Sequence, residues 1–158
     1  MWMRLQGFTL IELLVTLVIL ALLATAAAPV MQVTAQRAKE QELRRALWII
    51  RDGIDAYKQA ADEGMIGKSA STSGYPKSLE ALLQGADNVK DPKKPKIYFL
   101  RNIPRDPFNT MPESPPQDTW GKRSYSSPAD EPKEGDDVFD VYSLSAKTGL
   151  NGVPYREW

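Results

Sequence analysis

The chain has 158 residues, and its 20 lysines and arginines balance 20 aspartates and glutamates to a formal net charge of +0. That balance offers no basic footprint for nucleic acid and no acidic solvating tail. Cysteine and histidine are both absent, which excludes a disulfide framework and thiol chemistry and removes the commonest general base and transition-metal ligand.

The first element is a leader, residues 1–7, with one cation, Arg4, ending in Gly7. Phe8 follows, and an apolar run then continues to Ala28 with Glu12 as its only charge. About 20 apolar residues cross a bilayer as a helix, so residues 8–28 read as a transmembrane segment. An acidic residue at the centre of such a helix costs roughly 2.5–3.5 kcal/mol on insertion scales, and less near its end. A partner for Glu12 is therefore expected, and the amine exposed by cleavage at Gly7 is the obvious candidate. The competing reading is an ordinary secretory signal, with Arg4 as its charged region and Ala24-Thr25-Ala26 as its cleavage site. The carboxylate and the length of the apolar run both disfavour it. Arg4 orients the leader towards the cytoplasm and the remaining chain outwards.

Helical periodicity continues beyond Pro29. Leu43, Ala46, Leu47, Ile50, Ile54 and Tyr57 recur on one face, and Glu40, Arg44, Arg51, Asp55 and Lys58 decorate the remainder. Glu40 and Arg44, four apart, are expected to form a supportive surface pair. One helix is predicted from about Phe8 to about Ala61, with residues 29–62 as its soluble half. Pro29 removes a backbone bond and is expected to bend or loosen it.

Residues 63–158 read as a globular region. Gly64 stops the helix, and residues 67–74 form a loop. Ser78–Gln84 is a short amphipathic helix ended by Gly85. Residues 91–95 form a turn, and Ile97–Leu100 is extended. The proline-rich stretch from Pro104 to Pro116 cannot be regular. Lys122–Ser127 and Val138–Ser145 are the best strands, joined by the acidic connection Pro128–Asp137. Asn151-Gly152 marks a tight turn.

Gly7-Phe8-Thr9-Leu10-Ile11-Glu12 resembles the processing and methylation signature of type IV pilins and type II secretion pseudopilins. Further motifs resemble the major, G-type pseudopilin: Tyr75-Pro76-Lys77-Ser78-Leu79, Ile103-Pro104-Arg105-Asp106-Pro107, Trp120-Gly121 and Asp140-Val141-Tyr142-Ser143-Leu144. The resemblance covers nearly the whole chain. It implies cleavage after Gly7 by a prepilin peptidase, N-methylation of Phe8 and a helical filament whose register Glu12 sets by pairing with a Phe8 amine. It implies loosening of the helix around Pro29. The implied partners are other copies of the chain, minor pseudopilins, an inner-membrane platform with its ATPase and the lipid bilayer; no nucleic acid is expected. The implied location is the bacterial inner membrane, with the C-terminal domain in the periplasm.

The acidic connection, with Asp130, Glu131, Glu134, Asp136, Asp137 and Asp140, has enough oxygens for a hard cation such as calcium. The bland alternative is a solvated loop. G-type pseudopilins carry calcium in the loop after the Tyr-Ser-Leu strand, but Lys147 stands at the ligand position here, so that site is not carried over and the metal is left unknown. Trp120, Tyr125, Tyr142, Tyr155 and Trp158 are taken as core packing rather than a stacking platform. No catalytic constellation, phosphate loop or cofactor signature appears.

These features predict an α+β protein in the type IV pilin-like fold, with a long N-terminal helix on a small antiparallel sheet. It is expected to be a non-enzymatic structural subunit of a secretion pseudopilus. A true type IV pilin and a membrane-anchored periplasmic binding module are the alternatives.

Overall fold

The computed structural model describes residues 7–67, 73–93 and 95–158, and of residues 26–30 it describes the backbone only. The leader cation Arg4, the centre of the loop at 67–74 and one residue of the turn at 91–95 lie outside the described residues.

Helix α1 spans Leu10–Asp62, close to the expected bounds, and its helical run continues through position 29. The chain divides into two compact units, Met1–Ala38 and Lys39–Trp158. In the second unit the periodic face becomes the core. Leu43, Ile50 and Ile54 are fully buried, and Ala46, Leu47 and Tyr57 nearly so. Burying each large side chain stabilises the fold by about 1.5–3 kcal/mol. The same face extends through Ala60 and Ala61 to Ile66.

Helix α2, Leu79–Gln84, follows Ser78 and ends at Gly85. Gly85 has φ 69°, and a Cβ there would sit 2.7 Å from the Ile97 carbonyl oxygen, so only glycine fits this stop. Strands β1, Ala86–Asp87, and β2, Lys96–Ile97, form a minimal antiparallel pair. Phe99 and Leu100 then donate their N–H groups to the Leu82 carbonyl, and the Phe99 ring meets Tyr57 edge-on at 5.0 Å. The sequence placed the extended segment at 97–100, but only its first residue pairs in a sheet.

The proline-rich stretch is irregular, as expected, and enters a 3-10 turn at Pro116–Thr119. Strands β3, Trp120–Arg123, and β4, Asp140–Ser143, pair antiparallel with Trp120 opposite Ser143 and Arg123 opposite Asp140. Expected strand 122–127 is thus displaced towards the N-terminus. Ser124 leaves the ladder because its N–H bonds to Lys133 O and its hydroxyl to Asp137. A second 3-10 turn, Tyr155–Glu157, packs on β4.

The later sequence motifs converge on β3 and β4. Trp120 donates its indole N–H to Pro104 O at 2.8 Å. Asp106 is buried and accepts from Ser143 Oγ at 2.5 Å and from the Phe108 N–H at 2.8 Å. The proline turn is thereby stapled to both strands.

Candidate assembly and processing site

Gly7 and Phe8 are exposed, with Phe8 at 79%. Thr9 precedes α1, and its relationship to Glu12 is reciprocal. The Glu12 N–H donates to Thr9 Oγ1 at 3.3 Å, and the Thr9 N–H donates to Glu12 Oε2 at 3.5 Å. This is a capping box, which satisfies two otherwise orphaned N–H groups and places the carboxylate at the positive end of the helix dipole. The Thr9-x-x-Glu12 spacing carried that signal in the sequence, behind the more conspicuous cost of the buried charge. Glu12 is itself exposed, so its carboxylate is also accessible to a group from outside the chain.

From Leu10 to Leu23 the large apolar side chains are exposed on every face of α1, from Ile19 at 51% to Leu10 at 78%. A helix that is apolar all round requires apolar surroundings. Its few hydroxyls are compatible with them: Thr16 donates to Leu13 O at 2.9 Å and Thr25 to Leu22 O at 2.8 Å. Each polar side chain between Thr9 and Thr25 is bonded within the segment, which limits the cost of removing it from water. Among the described residues no helix is long and apolar enough to cross a membrane. The side chains of the expected 8–28 segment are described only as far as Thr25. Pro29 lies inside α1, with its side chain outside the described set.

In the second unit the acidic connection is divided in two. Asp130, Glu131, Glu134 and Asp136 are exposed, whereas Asp137 is buried. Asp137 accepts from Ser73 Oγ, from Ser124 Oγ at 2.9 Å and from the Tyr125 N–H at 2.9 Å. Burial pushes its carboxyl upwards, but the donors, led by Ser73, outweigh burial and hold it below the ordinary value. Asp140 is bracketed by Arg51 at 2.8 Å and Arg123 at 3.2 Å. Asp137 and Asp140 are therefore committed to internal donors, and Glu131 pairs on the surface with Lys133 at 3.0 Å. Among the described residues no group of three acidic side chains is placed to hold a metal. Lys147 is exposed beside Asp106 and Asp118 in a separate cleft.

Two expectations are corrected. Glu40 is not a surface residue: it is buried, accepting from Tyr155 Oη at 2.9 Å and from the Leu150 N–H at 2.8 Å. Arg44 places its guanidinium over the Trp158 ring, 4.5 Å from the centroid. Periodicity could not reveal this, because position 40 borders the apolar face and its partners lie more than 100 residues away. Tyr125 is not core. It is 61% exposed and stacks on Tyr75 at 5.6 Å, while Trp120 and Tyr155 are buried as expected.

The described geometry joins an exposed Gly-Phe junction, an exposed glutamate and an apolar helix to a small α+β unit. Residues 2–28 match the family model for the prokaryotic N-terminal methylation motif. The chain's α+β architecture, with a long N-terminal helix and small antiparallel sheets, is consistent with the type IV pilin-like fold. The chain is similar to the type II secretion system core protein G of Vibrio cholerae, 28% identical over 144 residues that cover 89% of this chain and 80% of that protein. It is also similar to the proteins of that name from Dickeya chrysanthemi and Pectobacterium carotovorum, each 27% identical. Those two matches cover 66% and 68% of this chain, and 64% of each relative's length. No solved structure matches it significantly.

Proposed function

We propose that the chain is a structural subunit of an inner-membrane-anchored periplasmic pseudopilus that drives type II protein secretion. One observation carries this reading. An exposed carboxylate, Glu12, stands in the first turn of α1 soon after Gly7-Phe8, within a stretch, Leu10–Leu23, whose large apolar side chains are all exposed. The similarity to core proteins G supports the secretion assignment. In this reading a prepilin peptidase cleaves after Gly7, Phe8 is N-methylated, and residues 8–28 hold the subunit in the bilayer until assembly. A neighbour's Phe8 amine then takes the Glu12 carboxylate and sets the register. Pro29 is where α1 loosens as the subunit enters the fibre. The fibre also contains minor pseudopilins and is built by an inner-membrane platform with its ATPase.

N-terminal sequencing and intact mass of membrane-extracted protein test the processing step. A methylated Phe8 start is expected, and a start near Ala27 would overturn the pilin-like reading. Glu12→Ala tests assembly. Processing and insertion should persist, since a costly charge leaves the membrane segment, while fibres and secretion are lost. Normal fibre yield from this variant would remove Glu12 from the assembly contact.

A further inference from the structure

The solvent face of α1 within the second unit is electrically divided. Arg45, Trp48, Asp52 and Asp55 are all exposed and recur at spacings of three and four, with exposed Arg44 four residues before Trp48, which places them on one stripe opposite the buried face. Its first part is basic and its later part acidic. Trp48 lies between them at 69% exposure, a large aromatic surface left to solvent. Among the described residues Arg45, Asp52 and Asp55 form no ion pair. Further along, Asp62 is already paired with Lys58.

Charges of opposite sign, unpaired and segregated along one helix, are complementary to a shifted copy of the same helix. We propose that this stripe is a contact between copies of the chain, with Arg44 and Arg45 of one against Asp52 and Asp55 of the next. The inference rests on the filament reading above. Copies anchored by the same N-terminal segment point the same way, so the complementary arrangement is parallel and staggered. Bringing the basic part level with the acidic part needs a shift of about 7 to 11 residues, roughly 10–16 Å along the axis. Trp48 then packs inside the contact, where a large aromatic anchor contributes most.

Charge reversal in the full-length, membrane-inserted chain tests this contact. Arg45→Asp and Asp52→Arg each place like charges together, and sheared-fibre yield should fall about tenfold or more. Combining the two substitutions restores complementarity, and yield should return to within about twofold of the parent. All positions are exposed, and equal membrane levels of the variants check that folding persists. Fibres from both single variants at parental yield would overturn this contact while leaving the filament reading intact. Failure of the double variant to recover would do the same. Loss in Arg45→Asp alone would mean that the basic part serves another surface, such as anionic lipid, and would also overturn it. Absence of fibres from the parent chain would instead overturn the filament reading and this inference with it.

Discussion

The Tyr155 hydroxyl donates to Glu40 Oε1 at 2.9 Å across 115 residues of sequence, tying the C-terminal 3-10 turn to the beginning of the second unit. Tyr155 is fully buried, and its ring stacks on Phe108 at 4.0 Å. Hydrogen bonds to charged groups contribute about 1.5–3 kcal/mol. Tyr155→Phe keeps the ring and removes the donor, so it should lower unfolding stability by about that amount. Denaturant titration of the detergent-extracted chain, followed by near-UV dichroism, measures it. An unchanged midpoint would show that this bond contributes nothing net.

Asp137 predicts an acid limit. Its folded pKa is lowered, with burial opposing and the Ser73, Tyr125 and Ser124 donors prevailing. A depressed carboxyl stabilises the fold above its unfolded value of about 3.9, and that stability is lost as the pH falls through the folded value. Stability attributable to Asp137 should therefore be flat from neutral pH to about pH 5 and decline below about pH 4. Asp137→Asn should weaken the fold at neutral pH and flatten the acid limb. A parallel acid limb in the variant would place the titrating group elsewhere.

Gly121 lies directly beneath the Tyr142 ring, its partner in the β3–β4 register, and an added Cβ would overlap ring atoms. Gly121→Ala should cost about 1–3 kcal/mol by overpacking. In a Tyr142→Ser background that cost should largely vanish, because the obstructing ring is gone. A double-mutant cycle with no coupling would show that the ring yields without cost.

Calcium should add little. Asp137 and Asp140 are engaged by internal donors, and the exposed carboxylates of the same connection lack a preformed cage. A loose acidic loop binds calcium at best near 0.1–1 mM, so stabilisation at millimolar metal should stay under about 1–2 kcal/mol. Melting with calcium against a chelator checks this. A shift of many degrees, abolished by Asp136→Ala, would establish a cage in this loop.

The apolar spacing of α1 was legible because core contacts such as Leu43, Ile50 and Ile54 follow helical period, and Gly85 marked its own stop. The Gly7–Glu12 junction was legible as a motif. Glu40 was misplaced because a border position looks the same whether its carboxylate faces water or a distant phenol. The end of β3 was misplaced because Ser124, a plausible strand residue, turns instead to serve Asp137. In both cases a long-range polar partner decided the outcome, and local pattern contains no record of such partners.

Arg51 reaches Asp140, Val141 and Trp158 across 89 to 107 residues, and Glu40 reaches Leu150 and Tyr155 across 110 to 115. Closing such loops costs chain entropy before any contact rewards it. During vectorial synthesis the α1 segment therefore emerges well before the groups that cover it. Its apolar face at Leu43–Ile54 stays uncovered until β4 and the Tyr155 turn arrive. The interval between emergence of the helix and delivery of those last elements is the window in which the nascent chain is most exposed to proteolysis and premature association.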